Sequence, residues 1–201
     1  MSENTWKILL FVFVCALFGT TLSFSVAESN DNVYIRSDGS IYPTTAPVQR
    51  YGNIYTLTGN IYNKTLVIEK DYIVVDGNGH TIQGAKIYLS KGLDLSNREG
   101  VIVKNLRIGD FYYGILLNSS QNNTISRNTI FECTYTIYGS GSRNNIIYHN
   151  DFLTLPNRII VGRDLWDDGY PSGGNYWGGS AREDLQSGPY QNVVGSDGID
   201  D

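Results

Sequence analysis

The sequence is poor in cysteine and proline. Its 201 residues contain two cysteines, Cys15 and Cys133, and five prolines. Cys15 falls in an N-terminal segment that we expect to be removed, which leaves Cys133 alone and excludes an intrachain disulfide. A lone cysteine is usually a small buried apolar residue, so we predict that Cys133 points into the core.

Charge is also scarce, and no basic face is expected. Charged residues make up 17% of the chain, and the net charge is −5. The segment from Asp164 onward is the acidic part, with seven Asp and one Glu against one Arg. Nucleic acid is therefore excluded as a partner, because its binding needs clustered Lys and Arg to neutralise phosphates.

The sequence lacks an apolar run long enough to span a bilayer. Residues 8–18 are apolar, whereas a membrane-spanning helix needs roughly 20 such residues. Lys7 precedes this run, and Ser25-Val26-Ala27 follows it as a small-x-small cleavage site. We predict a signal peptide over 1–27 and a secreted, cell-surface or periplasmic mature chain without a membrane span. The alternative is an uncleaved membrane anchor.

A repeat of 22 residues organises the middle of the chain. Within each repeat, short apolar and polar positions alternate, which is typical of strands rather than helices. Four apolar registers recur at this spacing: Leu93, Ile115 and Ile137; Val103, Ile125 and Ile147; Ile108, Ile130 and Phe152; Phe111, Cys133 and Leu155. Since one such coil cannot bury its own apolar face, the coils must stack with like residues on like residues.

The repeat predicts an all-β fold, a right-handed parallel β-helix. Asn128 falls one repeat before Asn150, so their side chains should form a hydrogen-bonded ladder inside a turn. A leucine-rich horseshoe would need a Leu-x-x-Leu-x-Leu consensus that the sequence lacks. We predict four to five coils over 55–155, one of them lengthened by an insertion around 85–91. The segments 28–54 and 156–201 should cap the open ends.

Two motifs resemble a known family. The segment 74–82, Val-Val-Asp-Gly-Asn-Gly-His-Thr-Ile, and the Asn-Asn-Thr-Ile-Ser-x-Asn-x-Ile coil that starts at Asn122 are similar to those of NosD-like, pectin-lyase-like proteins with CASH-type repeats. The resemblance implies a right-handed parallel β-helix of a prokaryotic cell surface, often archaeal. Such proteins are variously labelled copper-binding, carbohydrate-binding or sugar hydrolases. They usually continue past a Gly-Ser-Asp-Gly-Ile-x-Asp segment, so truncation at Asp201 stays open.

A copper site would need clustered Cys, Met or His ligands. After the signal peptide the chain has no Met, one Cys and the two histidines His80 and His149. A NosD-type accessory role would therefore require His80 to converge with Cys133 or His149. We favour the interpretation of both histidines as surface residues.

Sugar cleavage would need two carboxylates that face each other across the scissile bond. Asp110 and Glu132 lie one coil apart and could stack on one face as an acid–base pair. We favour their interpretation as solvated turn residues, because carboxylates are mostly exposed. A polysaccharide lyase, hydrolase or epimerase is thus the alternative function.

Calcium would need six to eight oxygen ligands. Asp197, Asp200 and Asp201 surround a glycine turn, and a second acidic loop follows Asp164. We therefore consider Ca²⁺ as a ligand that this acidic segment could bind, and we expect no required cofactor. The simpler interpretation is a solvated acidic tail.

Aromatic residues give the favoured function. Tyr112, Tyr113, Tyr135 and Tyr138 fall near turn-to-strand junctions, where an outward ladder would offer flat faces to sugar rings. We therefore predict a non-catalytic interaction or carbohydrate-binding module whose partner is a polysaccharide, or a cell-surface glycan or protein. A second aromatic group should pack over the open end: Trp166, Tyr170, Tyr176 and Trp177.

Three Asn-x-Ser/Thr sequons start at Asn63, Asn118 and Asn122. In an exported protein these are candidate glycosylation sites in exposed turns.

Overall fold

The chain winds through three parallel sheets. The structure, a computed structural model, describes residues 32–153, 158–169 and 171–178, and the strand residues 186–187 and 193–194. These described residues form strands and no helix. Each coil contributes one strand to each parallel sheet in turn, so neighbours within a sheet come from successive coils.

The strands are numbered in chain order and grouped by sheet. The first sheet contains β1 (Val33–Ile35), β2 (Ile41–Tyr42), β6 (Leu66–Ile68), β9 (Lys91–Asp94), β12 (Tyr113–Leu116), β15 (Tyr135–Tyr138) and β18 (Ile159–Ile160). The second contains β3 (Val48–Tyr51), β4 (Ile54–Leu57), β7 (Val74–Asp76), β10 (Ile102–Lys104), β13 (Thr124–Ser126), β16 (Arg143–Tyr148) and β19 (Arg163–Leu165). The third contains β5 (Ile61–Tyr62), β8 (Thr81–Gln83), β11 (Arg107–Gly109), β14 (Thr129–Phe131), β17 (Asp151–Phe152) and β20 (Tyr176–Trp177). A separate hairpin pairs β21 (Gln186–Ser187) with β22 (Val193–Val194).

The predicted parallel β-helix is confirmed, and its regular coils have the predicted register. Ile115 in β12 pairs with Ile137 in β15, and Ile108 in β11 pairs with Ile130 in β14. Each pair is separated by 22 residues along the chain. The fold has about five such turns.

The core consists of the predicted apolar ladders. Inward positions of successive coils lie directly above one another and are fully buried, as Val103 and Ile125 show. Cys133 is 3% exposed and occupies the ladder of Phe111, which confirms that its thiol points inward. The next predicted member of that ladder, Leu155, lies outside the described residues. Burial raises the pKa of the Cys133 thiol to about 11, so the thiol stays protonated at neutral pH.

Two buried amide ladders run beside the apolar ones. The Asn128 side-chain amide donates to Oδ1 of Asn150 at 3.0 Å, as predicted, and Asn150 donates to Oδ1 of Asn175 at 2.9 Å. In the second ladder, Asn123 donates to Asn145 at 2.8 Å. The ladder asparagines also satisfy backbone groups of neighbouring coils, because a buried polar group without a partner is costly.

The corners before these ladders use left-handed backbone conformations. Arg127 directly precedes Asn128 and has φ of 56°. Asn105, which lies one coil earlier at the same corner, has φ of 57°. Asp110 and Glu132 occupy another corner one coil apart, with φ of 59° and 52°. A non-glycine residue with positive φ is uncommon except in tight turns. The repetition of the conformation every 22 residues shows that the corners, like the strands, stack in register.

Parallel pairing continues beyond residues 55–155 on both sides. At the N-terminal side β1 pairs in parallel with β6, while β2 and β3 turn back antiparallel and end the first and second sheets. At the other side β18, β19 and β20 each extend one sheet. These strands lie within the segments 28–54 and 156–201 that the sequence assigns to caps.

In the predicted aromatic group near the C-terminal side, the two tryptophans pack together, whereas Tyr176 faces outward. Trp166 and Trp177 pack on the Phe152 ring, with centroids 6.3 and 4.9 Å from it. Tyr176 is 53% exposed, because its strand position places it on the outer side of β20. Tyr170 lies outside the described residues.

Replacing Ile125 by Asp should unfold the β-helix. Ile125 is 0% exposed, and a carboxylate at this position would be buried without a cationic partner. We expect a loss of about 4 kcal/mol or more in the free energy of unfolding. The matched control is Ile102→Asp on the neighbouring strand, where the side chain is 39% exposed. Denaturant titration followed by circular dichroism measures both, and equal midpoints would contradict the register.

Replacing Asn128 by Ala should destabilise the fold although it introduces no charge. The change removes the acceptor of the Leu106 amide and the donors to the Val103 carbonyl and Asn150. Since each orphaned buried group costs about 1–3 kcal/mol, we expect a loss of about 3 kcal/mol or more. Asn53→Ala, at an exposed turn, is the control and should change stability by less than about 0.5 kcal/mol. A similar loss in both variants would contradict the ladder's role.

Candidate functional site

Tyrosine side chains form a continuous patch on the outer side of the first sheet. The tyrosine patch comprises Tyr88, Tyr112, Tyr113, Tyr135 and Tyr138. Its rings contact one another with centroids between 4.8 and 5.8 Å apart. The structure therefore brings together all four tyrosines that the sequence singles out as carbohydrate contacts, and it adds Tyr88.

The register of the first sheet produces the patch. Tyr113 pairs with Tyr135 across β12 and β15, and their ring centroids are 5.6 Å apart. Tyr138, at the end of β15, packs against Tyr113 at 5.1 Å. Because these rings support one another and are half-buried, they are held in place before any ligand arrives.

The phenol hydroxyls of Tyr112 and Tyr113 keep their protons. Burial raises the pKa of Tyr112 and of Tyr113, and neighbouring phenols of the patch raise both further. A protonated phenol both donates and accepts hydrogen bonds, so the patch combines apolar ring faces with polar tips.

The loop 84–90 carries the remaining tyrosine. This loop joins β8 to β9 and is the insertion that the sequence indicates around 85–91. Tyr88 is 72% exposed, and its ring packs edge-on against Tyr112 at 4.9 Å. Sequence reasoning missed Tyr88 because the insertion has no counterpart in the 22-residue register. Its only signal is an aromatic residue inside that insertion.

The same loop anchors a charged cluster. Lys86 Nζ lies 2.7 Å from Glu132 Oε2 and 3.5 Å from Asp110 Oδ1. Asp110 also accepts a hydrogen bond from the Gln83 side-chain amide. The structure thus brings Asp110 and Glu132 to one corner, with a lysine between them that the sequence analysis did not include.

Electrostatics favour an ion pair over an acid–base pair at this corner. The hydrogen bond from Lys86, with its positive charge, holds the pKa of Glu132 below its ordinary value. The same contact with Glu132 raises the pKa of Lys86. Glu132 is therefore a poor general acid and Lys86 a poor general base at neutral pH, because each is stabilised in its charged form.

A second ion pair borders the patch on its N-terminal side. Lys91 pairs in register with Tyr113, and its Nζ lies 2.7 Å from Asp94 Oδ2. Burial raises the pKa of Asp94, but hydrogen bonds from Lys91 and Ser96 outweigh it and lower the pKa overall. Asp94 is therefore a carboxylate that already has its partners.

The residues considered for copper are apart. His80 precedes β8 and His149 precedes β17, which are three strand positions apart in the third sheet. At about 4.8 Å per strand, this separates them by about 14 Å. Cys133 faces the core, whereas His149 contacts the Ser172 carbonyl at the exposed corner. The described residues hold no group of three His, Cys, Asp or Glu that could bind a metal ion.

The calcium candidates Asp197, Asp200 and Asp201 lie outside the described residues. Of the other acidic loop, Asp164 accepts hydrogen bonds from the Asn145 amide at 2.8 Å and from Ser142 at 2.7 Å. Asp164 is therefore the last acceptor of the ladder that runs from Asn123 through Asn145.

The three sequons lie at turns. Asn63 and Asn122 are exposed, and both have positive φ. The Asn118 side chain is half-buried and accepts a hydrogen bond from the Ser140 amide at 2.9 Å. Glycosylation at these positions stays a prediction.

Residues 71–161 match the family model described as a right handed beta helix region. The match agrees with the fold, a right-handed parallel β-helix. The matched segment contains the whole tyrosine patch and the Lys86 cluster, so the candidate site belongs to the β-helix itself. No curated protein and no solved structure matches the chain. In the part of the protein that the structure describes, no helix is long and apolar enough to cross a membrane.

Proposed function

We propose that this β-helix protein is a non-catalytic carbohydrate-binding module and that the tyrosine patch is its contact surface. The observation that carries the proposal is the unbroken ring contact from Tyr88 through Tyr112 and Tyr113 to Tyr138. The predicted export signal and the resemblance to surface proteins support the proposal, because an exported module would meet extracellular glycans.

The chemistry of the patch suits a sugar chain. A pyranose ring has an apolar C–H face and polar hydroxyls at its edge, and a tyrosine offers an apolar face with a hydroxyl tip. Successive rings along the first sheet are spaced by the stacking of the coils, with Tyr113 and Tyr135 at 5.6 Å. A glycan chain lying along the stack would contact several rings at once.

Rigidity supports the same proposal. A tyrosine has two side-chain torsions, so it loses little conformational entropy when it binds. The patch tyrosines on β12 and β15 are already half-buried against one another. Binding a sugar would therefore cost little ordering of the protein.

Replacing Tyr135 by Ala should weaken glycan binding. The change removes a ring that contacts Tyr112, Tyr113 and Tyr138, so it disrupts the centre of the patch. We expect the Kd for a bound polysaccharide to rise about tenfold, which corresponds to about 1.4 kcal/mol. Affinity electrophoresis against neutral and acidic polysaccharides, followed by calorimetry, measures it.

The matched control is Tyr51→Ala. Tyr51 is 86% exposed on β3 in the second sheet, away from the patch. Its loss should leave the Kd unchanged. The proposal is wrong if the protein binds no polysaccharide of the panel, or if the two variants lose affinity equally.

The corner of Lys86, Asp110 and Glu132 favours a second candidate function. A polysaccharide lyase, hydrolase or epimerase uses clustered carboxylates, in some cases with a basic residue, and these three charges meet beside the tyrosine patch. The low pKa of Glu132 and the raised pKa of Lys86 speak for the binding function instead.

Product analysis separates the two functions. The protein is incubated with each polysaccharide, with and without Ca²⁺, and the mixture is read by mass spectrometry. We expect no new oligosaccharides and no altered sugars. Products that disappear in the Asp110→Asn and Glu132→Gln variants would establish the enzyme and overturn the non-catalytic proposal.

A further inference from the structure

We infer that the tyrosine patch selects uncharged glycan chains over acidic ones. The inference rests on the proposed function and adds the class of ligand to it. Among the residues that the structure describes, three cationic and three anionic side chains border the patch: Lys86, Lys91 and Arg158; Asp94, Asp110 and Glu132. The formal charges of these six side chains sum to zero.

The lysines nearest the patch are already engaged. Lys86 lies between two carboxylates, at 2.7 Å from Glu132 and 3.5 Å from Asp110. Lys91 lies 2.7 Å from Asp94, whose side chain is 13% exposed. An acidic sugar that recruited either lysine would have to displace a carboxylate of the protein and leave it without its cation. That exchange forms one ion pair at the expense of another, so it adds little affinity.

The tip of the loop 84–90 adds exposed apolar side chains to the border of the patch. Ile87 and Leu89 are 65% and 50% exposed and flank Tyr88 in the chain. Leu89 has φ of 61°, a conformation that is uncommon for a bulky residue and that often marks functional segments. Exposed aliphatic side chains beside aromatic rings suit the C–H faces of a neutral sugar and give a carboxylate or sulfate nothing to bind.

The loop is held in this position by its backbone as well as by Lys86. The Gly84 amide donates to the Gly109 carbonyl at 2.9 Å, and the Lys86 amide donates to the Asp110 carbonyl at 2.7 Å. The loop therefore pairs with the next coil at its start. Its apolar tip stays beside the patch because both the main chain and the ion pair fix it.

Ligand preference and salt dependence of the intact protein test the inference directly. The probes are a soluble β-glucan, mannan and xylan as neutral chains, and polygalacturonate and alginate as acidic chains. We expect binding to at least one neutral chain, with a Kd that changes less than about twofold between about 0.01 M and 1 M salt. Acidic chains should bind at least about tenfold more weakly.

A charge-neutralising variant tests the cause. In Asp110→Asn with Glu132→Gln, Lys86 loses both anionic partners and is free to bind a sugar carboxylate. Asn tolerates the left-handed backbone of position 110, where φ is 59°. We expect the ratio of affinities for polygalacturonate and the neutral chain to rise about fivefold at low salt and to return to the wild-type value at about 1 M salt.

The matched control changes charge by the same amount elsewhere. Glu69→Gln with Asp151→Asn alters two exposed carboxylates outside the border of the patch and should leave the ratio unchanged. An equal rise in this control would attribute the effect to net charge and overturn the inference.

The outcomes separate the inference from the proposed function. Wild-type preference for an acidic chain, with a Kd that rises steeply with salt, overturns the selection of neutral glycans and leaves carbohydrate binding intact. Absence of binding to every probe refutes the proposed function itself. Thermal melts of each variant confirm that the comparison is made between folded proteins. The ligand preference of the wild-type protein tests the inference even if a variant does not fold.

Discussion

The structure depends on the buried asparagine ladders that join one coil to the next. Each ladder amide accepts and donates hydrogen bonds at fixed distances, as between Asn128 and Asn150, and the donor and acceptor must lie directly above one another. A partner displaced along the strand would break both bonds inside the core, where no water replaces them. The ladders therefore fix which residues of successive coils lie above one another. The partners are 22 residues apart at Asn128 and Asn150, and 25 residues apart at Asn150 and Asn175, where a longer connection takes up the difference.

The same constraint shapes the outer surface. Residues that are one coil apart lie above one another outside as well as inside, so Tyr113 stacks beside Tyr135 for the same reason that Ile115 stacks on Ile137. Asp110 and Glu132 likewise share a corner, since both occupy the left-handed position after a strand of the third sheet. Stacked carboxylates would repel one another, and Lys86 from the preceding coil relieves that repulsion. The cluster can thus be explained as a structural requirement of stacking, with no need for catalysis.

The sequence predicts the coils that obey the 22-residue period and misses those that depart from it. The ladder of Leu93, Ile115 and Ile137, the inward Cys133 and the contact between Asn128 and Asn150 all follow from that period. By contrast, Ile61 pairs with Ile82, and Leu66 pairs with Leu93, at other separations. Earlier still, the antiparallel strands β2 and β3 separate β1 from its parallel partner β6. Only tertiary pairing reveals these alignments, because no repeat connects them. The same reason explains Tyr88 and Lys86, which lie in an insertion that no register aligns.

The insertion 84–90 makes one part of the regular solenoid different from the rest. A ladder of identical coils gives a uniform surface, and a uniform surface does not distinguish one ligand from another. One loop changes this by adding Lys86, which pairs with both corner carboxylates, and Tyr88, which extends the ring contacts. If the patch binds glycans as proposed, the ion pairs leave Lys86 less available to an acidic ligand, and the added ring enlarges the area for an apolar sugar face. In the proposed function, specificity therefore arises at an insertion where the chain departs from its 22-residue period, while the stacked coils hold the strands beneath it in register.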